Sequence, residues 1–196
     1  MNQYYITYKP YGMLNQFTDD LGRPTLADLY NFPKDVYAVG RLDIDSEGLL
    51  ILTNDKKINH LLLNPQFKHE KEYWVQVEGI IHEKALEMLR QGVKIRVDKK
   101  DYFTQPAKAR RLEVEPQVPE RNPPIRFRQN IPTSWLSLSI TEGKKHQVRK
   151  MTAAVGFPTL RLVRVRIINI KLNGLQPSEV KEIDQNEFYQ LLNLRK

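Results

Sequence analysis

The chain of 196 residues contains no cysteine, which excludes disulfide bridges and thiolate metal sites and fits a reducing compartment. It has no apolar run long enough to span a bilayer, and its opening MNQYYITYKP lacks the apolar core of a secretory signal. A cytoplasmic protein, not attached to a membrane, is therefore expected. No repeat of solenoid period runs through the chain. Acidic residues are in deficit, 23 against 31 Lys and Arg, for a formal charge of +8. That imbalance points to a polyanionic partner, most simply nucleic acid. A hydrophobic content of 40% is enough for one sizeable core, as one domain or as two closely joined halves.

Alternation and punctuation divide the chain. Tyr4 to Tyr8 reads as a strand broken by Lys9-Pro10-Tyr11-Gly12, and Pro24 to Tyr30 as a short helix. Two short apolar runs, Val36 to Val39 and Leu49 to Thr53, read as strands. Between them lie Arg41, Asp43, Asp45, Ser46 and Glu47, bracketed by Gly40 and Gly48. An acidic loop mounted between two buried strands holds a carboxylate well in place. By spacing alone, however, these carboxylates read as solvated residues of a hairpin connection. Asp55 caps a helix to Leu63 with Ile58, Leu61 and Leu62 inward, and His60 is an ordinary surface residue of it.

Glu72 to Glu78 alternates as a strand, with Tyr73, Val75 and Val77 on one face. His82 to Gln91 reads as a helix packing through Ala85, Leu86, Met88 and Leu89 and closed by Gly92. Strands are expected over Val93 to Val97, Lys108 to Val114 and Trp135 to Ile140, and a helix from near His146. Glu115 to Pro132 carries five of the twelve prolines and reads as a long exposed loop. Leu160 to Ile167 alternates, with Val163, Val165 and Ile167 toward the core and Leu162, Arg164 and Arg166 on the other side. A last helix starts at Asp184, with Glu187 three residues on, and docks through Phe188, Leu191 and Leu192.

Five segments together resemble the RsuA-type ribosomal RNA pseudouridine synthases. Gly40 to Asp55, GRLDIDSEGLLILTND, is similar to that family's catalytic signature; YKPYGML resembles its opening KPxG motif; Lys71 and Tyr73 resemble its KxYxVxV motif. EGKKHQVRKM resembles its third signature, EGKxxQVRRM, with Lys150 where many relatives have arginine. A closing segment, LNGLQPSEVKEI, resembles LxxLxPGExRxL but places Ser178 where glycine is usual and Lys181 where arginine is usual.

The resemblance implies an α+β fold, two sheet-and-helix halves sharing a central, mainly antiparallel sheet with the active cleft between them. It implies that Asp43 is the essential carboxylate, that Arg149 pairs with it, that Tyr73 packs on the target uracil and shields Asp43 from water, and that Leu162 packs beside both. The cleft side of Leu162 then carries Arg164 and Arg166. Many relatives carry an N-terminal S4 RNA-binding domain, for which the KPxG motif stands too near Met1, so one catalytic domain over 1–196 in two subdomains is expected. Arg41, Lys71, Lys144, Lys145, Lys150, Arg161, Arg164 and Arg166 are expected to contact RNA, supplying nonspecific affinity that weakens with salt. The substrate implied is ribosomal RNA of the large subunit, acted on by a monomer.

Pseudouridine formation breaks the bond from uracil N1 to ribose C1′, turns the base and joins its C5 to the same carbon. No electrons or groups are exchanged, so no cofactor and no metal are required. Asp43 assists by attacking C1′ or by removing the 2′ proton, two routes that residue types leave open. Both need the carboxylate ionised, hence a close arginine. The target base must be flipped out or already unpaired. Two rivals stand beside this reading. A non-catalytic RNA-binding module of the same fold would be favoured by loss of Asp43, Tyr73 or Arg149, all of which are present. A hydrolase or metal enzyme built on Asp43, Asp45, Glu47 and His146 ranks lower, since His60, His69, His82 and His146 show no metal-ligand spacing and no second acid has a defined partner.

Overall fold

A computed structural model describes residues 2–126 and 128–194. They form two compact units, one drawn from Met1–His69 and Arg164–Lys196, the other from Glu70–Val163. The content is α+β, with mainly antiparallel sheet.

The first unit opens with β1 (Tyr4–Lys9), all six residues of which are buried. A single 3-10 turn, Leu26–Asp28, stands where a helix over 24–30 was expected. Asp28 turns back to accept from Thr25 N at 2.7 Å, and Leu29 N bonds Leu26 O, so the turn closes on itself instead of propagating. β2 (Tyr37–Ala38) pairs with Leu52 and Thr53 of β3 (Glu47–Thr53). The strand expected from Leu49 begins two residues earlier, at Glu47, and all seven of its residues are buried. α1 (Lys56–Leu63) is capped by Asp55, buries Ile58 and Leu62, and ends before Pro65 as the proline requires.

The second unit begins at β4 (Lys71–Glu78), followed by α2 (Glu83–Gln91). Ala85, Leu86 and Leu89 form the buried stripe of α2, whereas Met88, expected to pack, is 43% exposed. At 100° per residue Met88 falls beyond the edge of the arc those three define. β5 (Lys94–Val97) pairs with β6 (Lys100–Phe103) through the two-residue turn Asp98-Lys99, both at positive φ (48° and 66°). This hairpin escapes a reading of turn residues because its turn has no Asn-Gly or Asp-Gly. β7 (Lys108–Leu112) and β8 (Thr133–Ile140) follow, then α3 (Gln147–Ala154). β4 and β8 pair over eight residues, from Lys71 opposite Ile140 to Glu78 opposite Thr133. The connection between β7 and β8 is without regular structure among its described residues, as its prolines dictate.

β9 (Thr159–Ile167) belongs to both units. Alternation predicted one core side, but Leu162, Val163, Arg164 and Val165 are all at most 8% exposed. Both faces of β9 are thus buried over these four residues, as in a strand without alternation. The chain then returns to the first unit through β10 (Ile170–Lys171), β11 (Val180–Ile183) and α4 (Gln185–Leu191), the last capped by Asp184. Strand order in the first unit is β11-β1-β3-β9 and in the second β9-β4-β8-β7, with β2 on β3 and β10 on β9. Core packing in the first unit centres on β1 and β3, and Tyr4 stacks on Phe188 of α4 with ring centroids 4.5 Å apart.

Candidate active site

Asp43 lies in a turn between β2 and β3, closed by Ser46 N donating to Asp43 O at 3.0 Å. The segment after β1 grips this turn. Gly12 N donates to Ile44 O at 2.8 Å, and the Asn15 side chain accepts from Leu42 N at 3.1 Å while donating to Gly40 O at 3.3 Å. Gly40 sits at φ 76°, and a Cβ there would meet Leu63 of α1 at 3.1 Å, so this position needs glycine on two counts. Asp43 is half-buried and Arg41 exposed.

The gripping segment is itself anchored by Lys9. Its side chain is fully buried, and its ammonium donates to Met13 O at 2.7 Å and Pro10 O at 3.1 Å. Burial pulls its pKa down to about 8, against the opposing fields of Glu47, Asp45 and Asp43. Glu47, expected among solvated carboxylates, is 2% exposed and accepts from the Tyr8 hydroxyl at 3.2 Å. Lys9, Asn15 and Glu47 are thus structural determinants of the Asp43 turn that residue-by-residue reading passed over. The KPxG resemblance marked Lys9; a lone Asn15 in an irregular segment gave no signal.

Asp55, which closes the Gly40–Asp55 signature, has a different task. One carboxylate oxygen accepts from the hydroxyls of Tyr4 and Tyr189, both at 2.8 Å, and the other from Lys57 N at 3.0 Å. Burial pushes this carboxyl upward, but the two hydroxyls and the helix N–H groups prevail, and its pKa is lowered.

Two arginines expected at an RNA surface are interior. Arg164 is 3% exposed and donates from Nε to Leu49 O at 2.8 Å, and its Nη2 has no hydrogen-bond acceptor among the described residues. Arg161 is 6% exposed and donates to Pro119 O at 2.7 Å, strapping the proline-rich connection to β9. The alternation that set Arg164 on a cleft side with Leu162 and Arg166 does not hold for β9, where Arg164 is as buried as Val163. Arg166 is half-buried and donates to Ile168 O at 2.7 Å, bracing the turn into β10.

In the second unit, Tyr73 stands on β4 opposite Leu138 and is 8% exposed. Lys71, two residues earlier, is half-buried. Leu162 is 5% exposed on β9. Arg149 lies in the first turn of α3 and is half-buried, as is Lys150, while Lys144 and Lys145 are exposed just ahead of the helix.

The fold is that of a pseudouridine synthase. A crystal structure of a pseudouridylate synthase superimposes with a TM-score of 0.78 at 28% identity, over 97% of this chain and 74% of that one. The human RNA pseudouridylate synthase domain containing 1 matches at 0.60 and 14% identity over 98% of this chain and 92% of that one, a likeness of fold alone. Residues 3–154 match the family described as RNA pseudouridylate synthase, and the chain belongs to that family.

Relatives include ribosomal large subunit pseudouridine synthase E of Vibrio parahaemolyticus, 55% identical over 89% of this chain and 71% of that protein. The protein of the same name from Xanthomonas axonopodis is 52% identical over 86% of this chain and 87% of that one. Ribosomal large subunit pseudouridine synthase B of Bacillus subtilis is 33% identical over 96% of this chain and 70% of that one.

Proposed function

We propose that this chain isomerises a specific uridine of large-subunit ribosomal RNA to pseudouridine in the cytoplasm, with Asp43 as the essential carboxylate. The observation that carries the proposal is the match to the RNA pseudouridylate synthase family over residues 3–154, with relatives more than half identical bearing a large-subunit name. The braced turn at Asp43 supports it, because a reacting carboxylate must be held within fractions of an ångström of its target. Arg149, by its place in the third signature, is the cation assigned to keep Asp43 ionised. Tyr73 and Leu162 are assigned to cover the base and exclude water, which would otherwise intercept the sugar carbon.

The uracil leaves from C1′ with the N1 bonding pair, turns, and returns through C5, and the C5 proton passes to N1 by way of solvent or a neighbouring group. Reactant and product are isomers, so nothing is oxidised. Arg41, Lys71, Lys144, Lys145, Lys150 and Arg166 are assigned to the RNA backbone; Arg161 and Arg164 are not, since both are spent on backbone carbonyls. The protein is proposed to act as one catalytic domain and as a monomer.

The deciding experiment is pseudouridine mapping, by carbodiimide labelling and reverse transcription, on ribosomal RNA from cells lacking the protein and from cells supplied with wild type or Asp43→Ala. One large-subunit stop lost without the protein, and restored by wild type alone, is the expected result. Persistence of every stop, or rescue by Asp43→Ala, refutes the catalytic assignment in favour of an RNA-binding module.

A further inference from the structure

α3 begins without an ordinary cap. His146, just before its first turn, is left-handed at φ 53° and gives the helix no side-chain hydrogen bond. The start of the helix is held by Glu142 instead. Its Oε1 accepts from the Gln147 amide at 2.6 Å and from Gln105 N at 2.8 Å, and its Oε2 accepts from the Tyr102 hydroxyl. Gln147, 3% exposed, in turn accepts Lys144 N at 2.8 Å. Tyr102 stands on β6, so the β5–β6 hairpin and the residue chain just beyond it grip the segment that leads into α3. The hydrogen bond to Glu142 pushes the phenol up to about 12, which keeps it a donor throughout the neutral range. The ring of the same tyrosine lies under the Lys144 ammonium, 4.9 Å from its centroid.

We infer that Tyr102 is a positioning residue with two separable roles: its hydroxyl, through Glu142, sets the first turn of α3, and its ring orients Lys144 toward the RNA backbone. Arg149 shares that first turn with Gln147, so a shift of the turn moves the guanidinium with it. Nothing in the RNA pseudouridylate synthase match assigns Tyr102, and it belongs to β6, a strand that the sequence patterning left unread. The inference rests on the roles proposed for Arg149 and Lys144.

The two roles separate by substitution. Tyr102→Phe removes the hydroxyl and keeps the ring, whereas Tyr102→Leu removes both. Steady-state isomerisation of a ribosomal RNA fragment is expected to show kcat lowered about tenfold in Tyr102→Phe with KM unchanged, the scale of a small misplacement of a charged group. Tyr102→Leu should show the same kcat and, in addition, a raised KM with a log–log salt slope shallower by about 0.7–0.9, one phosphate contact.

Glu142→Ala gives an independent arm. If the hydroxyl acts through Glu142, the Tyr102→Phe/Glu142→Ala double variant has the kcat of Glu142→Ala alone. Wild-type kcat in Tyr102→Phe, effects that multiply in the double variant, or equal changes of kcat and KM in both tyrosine variants would each overturn the inference. A wild-type protein that makes no pseudouridine would instead overturn the proposed function, and Lys144's part is then decided by the salt slope of RNA binding alone, which must still differ between Tyr102→Phe and Tyr102→Leu.

Discussion

The hydroxyl of Tyr4 donates to Asp55 at 2.8 Å, joining the start of β1 to the segment between β3 and α1. Tyr189 donates to the same oxygen from α4, and Asp55 also caps α1. One carboxylate therefore ties together a strand, a helix start and the closing helix of the first unit. Asp55→Ala should destabilise the fold by about 2–4 kcal/mol, since it removes a cap and leaves two hydroxyls of low exposure without an acceptor. Equilibrium urea denaturation monitored by circular dichroism measures this. Because the folded pKa of Asp55 is lowered, its contribution is fully present above the ordinary aspartate value and is lost as pH falls through the folded value. The gap between wild type and Asp55→Asn should therefore narrow on acidification below about pH 4.

Lys9 is also held below its ordinary value, but here the cause is a burial penalty on the charged form. Its folded pKa is down at about 8, so the folded state disfavours the ammonium, and stability rises as pH increases from about 8 toward the unfolded value near 10.5. A Lys9→Met variant should lack this rise of about 3 kcal/mol. Comparing the two melting curves from pH 7 to 10 tests it, and parallel curves would show that burial of the ammonium carries no such penalty.

Asp43→Asn should remain folded, as the turn is held by backbone and by Asn15. Its isomerisation rate should fall by about 10⁴-fold or more, the range seen when a reacting group is removed. Single-turnover assays with saturating protein measure the chemical step directly.

The interior arginines make a contrast. Arg161→Lys should lower stability, through loss of the bond to Pro119 O, and leave the salt slope of RNA binding unaltered. Lys145→Ala should do the reverse, reducing the slope by about 0.7–0.9 at unchanged melting temperature. Equal slopes in all three proteins would exclude Lys145 from the phosphate contacts.

Ser178 sits at φ 71°, a left-handed conformation that favours glycine, and its N–H donates to Tyr8 O at 2.9 Å. Ser178→Gly keeps that bond and relieves the left-handed strain, so it should stabilise by about 0.5–1 kcal/mol in thermal denaturation. Ser178→Ala should bring no such gain.

What the sequence made legible follows from what kind of signal each feature emits. α1 was readable because Asp55, the apolar stripe and Asn64-Pro65 mark start, face and stop; β4 was readable because alternation over Glu72 to Glu78 is strict. The Asp43 turn was visible through its motif, and Lys9 through the KPxG motif, whereas Asn15 was not: it acts on a backbone carbonyl and a backbone amide, which leave no trace in residue type. β9 misled because Leu162, Arg164 and Arg166 alternate as a cleft side, yet Arg164 satisfies Leu49 O from inside. β5 was read as a strand, but its return through β6 was lost because Asp98 and Lys99 accept a conformation that glycine and asparagine normally advertise.

β1 pairs with β3 on one side and with β11 on the other, Tyr4 standing opposite both Thr53 and Ile183. For a chain emerging from the ribosome this sets an order of events. The segment bearing Asp43 is synthesised early, but one edge of its sheet stays open until residues 180–183 leave the exit tunnel. Nascent chains stalled before Val180 should accordingly remain protease-sensitive across residues 4–55, and premature stop codons just ahead of Val180 should be as damaging as those at the motif itself.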